Sequence, residues 1–188
     1  MKEEMSLTKQ LTIAAILLAI CIASQFFKNL SVYITGPIIN LCLVMAVMTI
    51  GLKWGLILAA ITPVTAFFIA SSPVMQAVPM IIVFIILGNA VLVIMTRLLF
   101  KPSVTGEGRL VSVKSVLTAI LSALAKGAFM GLTISLWLLP AFIPKASPLS
   151  GKMGVFQMMF SLTQFITAVI GFVYFFLIWT PVKKSLDK

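Results

Sequence analysis

The chain has 188 residues, of which 61% are hydrophobic and only 10% charged, with a mean hydropathy of +1.19 and a formal net charge of +10. So few charged residues cannot solvate a globular surface, which excludes an ordinary soluble domain and leaves an integral membrane protein. The positive charges flank apolar runs, which marks membrane topology and argues against a nucleic-acid partner.

A transmembrane helix needs roughly 20 residues, so the chain has room for about six with short connections. After the polar start MKEEMSLTK, the first span covers 9–27 and is read as a retained helix, because its long apolar run has no small-residue cleavage site. Within it Ala15, Ala19 and Ala23 recur every four residues. Small residues at that spacing let another helix approach closely, either one from this chain or one from a partner. The stretch KNLSVYITGP leads to the second span, 37–52, and brings Asn29, Tyr33 and Thr35 to one end of the bundle. Lys53 and Trp54 mark a tight turn into the third span, 55–70. SSPVMQAVP then presents Met75 and Gln76, and its two prolines stiffen it either as a lid or as a plain connector.

The fourth span is 79–99, followed by the polar loop KPSVTGEGRLVSVK, the fifth span at 113–139, the connection PAFIPKASPLSGKMG and the sixth span at 156–180. The expected architecture is therefore a single all-α domain over 1–188 with six transmembrane helices. No segment alternates as an outer-membrane barrel strand would. Cys21 and Cys42 lie in apolar runs and suggest neither a disulfide framework nor a zinc site.

Topology follows from the basic residues. With both termini on the cytoplasmic side, that side holds Lys2, Lys9, Lys53, Arg97, Lys101, Arg109, Lys114, Lys183, Lys184 and Lys188, against Lys28, Lys145 and Lys152 outside. Such a bias points both termini inward.

The four acids, Glu3, Glu4, Glu107 and Asp187, all lie outside the spans, and histidine is absent. Proton-coupled carriers use membrane-buried Asp, Glu or His as the relay, so a self-powered proton symporter is not expected. Intramembrane aspartyl, Ser–His and zinc hydrolases each need a base or ligand that the chain lacks, and no GxxxxGK[ST] loop is present to cradle ATP. The expectation is a binding protein without a cofactor of its own, not an enzyme.

One charged residue lies in the middle of a span, away from its ends. Lys126 sits in the middle of TAILSALAKGAFMGLTISLW, where an ammonium costs about 3 kcal/mol on insertion scales. At helical spacing its face carries Ser122, Met130, Thr133 and Trp137. The sixth span carries Gln157, Ser161 and Gln164 at the same kind of spacing, and the fourth carries Asn89. At about 1.5 Å per residue, Asn89 and Gln164 lie roughly 15 and 12 Å below the outer ends of their spans, and Lys126 roughly 20 Å above the inner end of its own. These depths fit one polar pocket opening outward. In one reading Lys126 holds a ligand carboxylate or phosphate, Asn89, Gln157 and Gln164 bond its neutral groups, and Trp137 and Tyr174 pack on its body. In the other, the lysine is satisfied by backbone carbonyls and the amides are interhelical glue.

Six spans, inward termini, the AxxxA repeat and polar residues in the outer halves of spans four to six together resemble the S components of energy-coupling factor (ECF) vitamin transporters. The segments GPIINLCLVMAVMTIGLKWGLILAAITPVTAFFI at 36–69 and PMIIVFIILGNAVLV at 79–93 are similar to members of that family, and the resemblance spans nearly the whole chain. It implies a bacterial cytoplasmic-membrane subunit that binds a vitamin from outside. Such a subunit delivers its ligand by toppling against a T component driven by two cytoplasmic ATPases, which consume ATP. Ala15, Ala19 and Ala23 would dock on the T component, and the loops 28–36 and 71–79 with spans four to six would form the vitamin site. Lys126 favours an anion, and the amides favour a small flexible carboxylate such as pantothenate; riboflavin or a pyridine vitamer stays open if the lysine only organises the pocket. Two alternatives from other classes are a membrane scaffold subunit and a solitary facilitator working without ATPases.

Overall fold

The computed structural model describes residues 5–27, 31–106 and 110–186. Those residues are helical nearly throughout and contain no β-strand, and six helices are long and apolar enough to cross a membrane. Helix α1 spans Leu7–Gln25, α2 Val32–Thr49 and α3 Leu52–Ala70. A short α4, Pro73–Ala77, precedes α5, Ile81–Met95, which continues through a π-helical turn at Thr96–Phe100 into α6, Lys101–Gly106. Helix α7, Val113–Met130, runs into a π-helical segment, Gly131–Leu138, and ends in α8, Leu139–Phe142. A 3₁₀ turn, Ser150–Lys152, leads into α9, Met153–Met159, and then α10, Leu162–Leu186.

The helix ends follow local chemistry. Ser31 caps α2 by accepting from the Tyr33 N–H at 3.1 Å, so α2 starts five residues before the expected 37 and carries Pro37 inside it. The turn between α2 and α3 lies at Ile50–Gly51 and not at Lys53–Trp54. Both Ile50 and Gly51 return their N–H groups to the Ala46 carbonyl at 2.9 Å, and Gly51 takes φ +97°, a conformation open to glycine. Ser112 and Ser115 form a reciprocal cap that starts α7 at the expected 113. The sixth span begins before 156 and is interrupted at Phe160–Ser161 before α10 resumes.

Helix α2 is central, packing on α1, α3, α5 and α10, while α7 bridges α5 and α10. In α2, 56% of the most apolar window is buried, against 17% in α1, so α1 is the outermost helix. Large apolar side chains such as Leu7, Ile16, Phe68 and Leu177 face outward, as lipid contact requires.

Two apolar clusters fill the interior. One, towards the termini, joins Leu43, Val47, Leu92, Ala123 and Ala168 with Phe100, Phe172, Phe175 and Trp179, and Phe175 stacks on Trp179 with centroids 4.9 Å apart. The other, at the opposite end, joins Met75, Ile81, Met130, Ile134, Leu138 and Phe160. Lys126 lies between Ala123 and Met130 on α7, Asn89 between Ile81 and Leu92 on α5, and Gln164 and Thr167 between Phe160 and Ala168. A polar layer therefore lies between two apolar regions.

Candidate functional site

Helix α7 turns Ala119, Ser122, Ala123, Lys126, Gly127 and Met130 inward. Apart from the lysine and Met130 these are small, so α7 packs closely on α5 and α10 and brings the lysine to the middle of the bundle. Lys126 is only 3% exposed. Its Nζ donates to Asn40 Oδ1 on α2 at 2.6 Å and to Asn89 Oδ1 on α5 at 2.8 Å. A lysine only donates, so both amides must turn their oxygens towards it. Asn40 is placed by the α2–α10 crossing: a Cβ on Gly171 would lie 2.8 Å from Asn40 Cβ and 3.1 Å from the Pro37 carbonyl oxygen. The Asn40 amide also donates to Thr167 Oγ1 on α10, at 3.4 Å.

These groups line a cavity of about 450 Å³ at the end of the bundle opposite the termini. Helices α1, α2, α3, α5, α7 and α10 contribute Gln25, Thr35, Asn40, Thr62, Asn89, Lys126 and Gln164, and Ser71, Ser72 and Met75 come from the connection between α3 and α5. The rest of the wall is mostly aliphatic, including Ile39, Pro63, Ala66 and Ile85, and Phe160 is its one aromatic residue. The four acids lie outside the described residues, so no described side chain is a carboxylate. Lys126 is met by neutral amide oxygens, and its Nζ has no third partner among the described residues.

On the opposite wall Gln25 is fully buried, and its Nε2 donates to the Thr62 carbonyl and to Thr65 Oγ1, both at 3.0 Å. Its Oε1 and the Thr62 hydroxyl have no hydrogen-bond partner among the described residues.

Of the residues expected in the site, Lys126, Asn89 and Gln164 line the cavity, as do Thr35 and Met75. Gln164 also donates to the Met159 carbonyl at 3.2 Å. Gln157 does not line it. Gln157 and Ser135 exchange bonds at 3.0 and 2.8 Å, tying α9 to the π-helical segment, which is the interhelical role. Thr133 bonds the Phe129 carbonyl of its own helix at 2.7 Å, and Trp137 is 55% exposed and meets Phe84 edge to face. Both leave the Lys126 face because the π-helical segment uses i→i+5 bonding. The wider turn buries Met130, Ile134 and Leu138, four residues apart, and turns Trp137 outward. Tyr33 is half-exposed and Gln76 exposed, the latter bonded to Ser71 Oγ at 2.9 Å; neither lines the cavity, although their neighbours do. Asn29 lies outside the described residues. Ala15, Ala19 and Ala23 are all exposed on the outer face of α1.

Asn40, Gln25 and Thr62 were not anticipated. Asn40 had a signal, since it is an amide within an otherwise apolar run, as Asn89 is. Gln25 closes the apolar run of the first span and carries no such signal. No protein-family description, curated protein or solved structure matches the chain.

Proposed function

We propose that this protein is the substrate-binding S component of an ECF-type importer in a bacterial cytoplasmic membrane, and that it captures a small carboxylate from outside. The observation that carries the reading is Lys126: a buried amine lining a partly open cavity with neutral amides and no acidic side chain among the described residues. An intramembrane ionisable residue is expensive to keep and marks function by default. A ligand anion would give it the counter-charge that no described residue gives.

The cavity volume lies within the range of small-molecule sites, which is about 300–1,000 Å³. With one aromatic in the wall, nothing sandwiches a flat ring, which favours a flexible acid such as pantothenate. The exposed Ala15, Ala19 and Ala23 offer a smooth helix surface to a T component, whose ATPases would supply the energy. The basic residues Lys53, Arg97, Lys114, Lys183 and Lys184 belong to the end of the bundle that carries the termini. By the positive-inside rule that end is cytoplasmic, and the cavity end faces outward.

The test is a thermal-shift screen of the purified protein in detergent against vitamins and precursors, acids and neutral compounds alike, on wild type and Lys126→Ala. A ligand at a hundredfold excess over Kd stabilises the folded state by about 2.7 kcal/mol. The expected outcome is a shift with one small acid that disappears in the mutant. A shift with a neutral compound that survives in the mutant would make Lys126 a packing element. No shift across the panel, with folded protein, would favour the scaffold alternative, in which Lys126 fastens α2 and α5 to α7. Co-purification with a T component separates an importer subunit from a facilitator.

A further inference from the structure

We infer that the cavity has a second polar anchor, formed by Gln25 on α1 and Thr62 on α3, and that its ligand is an acid carrying a hydrogen-bond donor at the end remote from its carboxylate. The inference rests on the reading of the cavity as an anion site.

The orientation of the Gln25 amide is settled by its partner. The Thr62 carbonyl only accepts, so the nitrogen must face it, at 3.0 Å, and the oxygen must face elsewhere. Among the described residues that oxygen has no partner although the residue is fully buried, and the Thr62 hydroxyl, on a residue 1% exposed, has none either. A buried polar atom left unpaired costs about 1–3 kcal/mol. The two atoms lie on adjoining helices, and both residues line the same cavity as Lys126, unlike Thr96, whose hydroxyl is also unpaired among the described residues. The oxygen is buried in the present geometry, so meeting a donor in the cavity requires the Gln25 side chain to turn about its broad terminal torsion.

Depth supports a shared ligand. Thr62 lies eight residues from the end of α3 at Ala70, and Asn40 and Asn89 lie eight residues from the starts of α2 and α5. At about 1.5 Å per residue, all three sit roughly 12 Å into the bundle. Gln25 and Thr62 come from the packed pair α1 and α3, whereas Lys126 and Gln164 come from the packed pair α7 and α10, with α2 touching both pairs. A molecule lying across the cavity would meet a cation on one side and an acceptor with a hydroxyl on the other. The aliphatic wall between them suits a chain of carbons. The absence of a carboxylate among the described residues makes the site unfit for an ammonium at the remote end, so the donor is a neutral amide, ureido or hydroxyl group.

Four acids separate the possibilities: pantothenate and biotin carry neutral donors remote from the carboxylate, whereas lipoate and nicotinate do not. Affinities would be measured by calorimetry and thermal shift on wild type, Gln25→Leu, Thr62→Val and Lys126→Ala. The expected result is that wild type prefers a donor-bearing acid, that Gln25→Leu reduces this preference about tenfold or more, and that Lys126→Ala loses all four acids. Thr62→Val keeps the carbonyl that holds Gln25, and it should lower the same preference even if Gln25→Leu fails to fold. If an acid binds through Lys126 but donor-bearing and donor-free acids bind alike, or the preference survives both α1 and α3 substitutions, the second anchor is wrong and the anion site stands. If no acid binds folded wild type, the anion site itself is wrong and the second anchor falls with it.

Discussion

At the scale of single residues, the chemistry concentrates on a lysine whose bonds inside the protein go to two asparagines. Neutral acceptors hold a cation in position without cancelling its charge, which is what a site for an anion requires. Substituting a carboxylate for one of them tests this directly. In Asn40→Asp the protein would supply its own counter-ion, 2.6 Å from the amine in the present geometry. A bound carboxylate would then meet a like charge. The expected outcome is a loss of affinity for the acid ligand of at least about tenfold, with no fall in the melting temperature of the ligand-free protein. Retained affinity together with a raised melting temperature would mean that Lys126 serves packing alone.

At the scale of elements, the site depends on how closely α10 lies against α2. The Gly171 backbone rests on Asn40 and Pro37, leaving no room for a methyl group: its Cβ would stand 2.8 Å from Asn40 Cβ. Gly171→Ala should push the two helices apart and cost about 1–3 kcal/mol, the usual range for overpacking, read as a lower melting temperature. Because Asn40 moves with the crossing, ligand affinity should fall as well. The π-helical segment after α7 is the second determinant. It turns Ser135 towards Gln157 and the large ring of Trp137 away from the cavity. A periodicity of 3.6 would have kept Trp137 on the Lys126 face, and no property of GLTISLWL taken alone reveals the wider turn. The segment packs against α9, where the Gln157 side chain reaches the Ser135 carbonyl.

At the scale of the whole molecule, two apolar clusters enclose a polar layer, and the cavity end lies opposite the basic end. That separation makes the orientation in the membrane testable. Cys21 and Cys42 are 0% and 2% exposed, so native thiols give little background. In intact cells a membrane-impermeant maleimide should label Ala146→Cys, in the connection between α8 and α9. It should label Lys53→Cys, at the start of α3, only after permeabilisation. The reverse pattern would put the cavity on the cytoplasmic side, and uptake from outside could not then start there.

Much of this protein is determined by its sequence alone. Long apolar runs with punctuating glycines, prolines and lysines specify six helices, because in a membrane backbone groups must bond within each span. The mid-span Lys126, set among apolar neighbours, marks a candidate site in the sequence because such a charge is costly there. Tertiary structure decided which polar residues reach that lysine. Asn40, Gln25 and Thr62 sit on helices distant in sequence from α7, and only the crossing of α2 with α10 and the pairing of α1 with α3 turn them into one cavity. Gln157, Thr133 and Trp137 were lost from it for the same reason: facing is a property of how helices pack and wind, and spacing along one helix predicts it only where that helix keeps its ordinary turn.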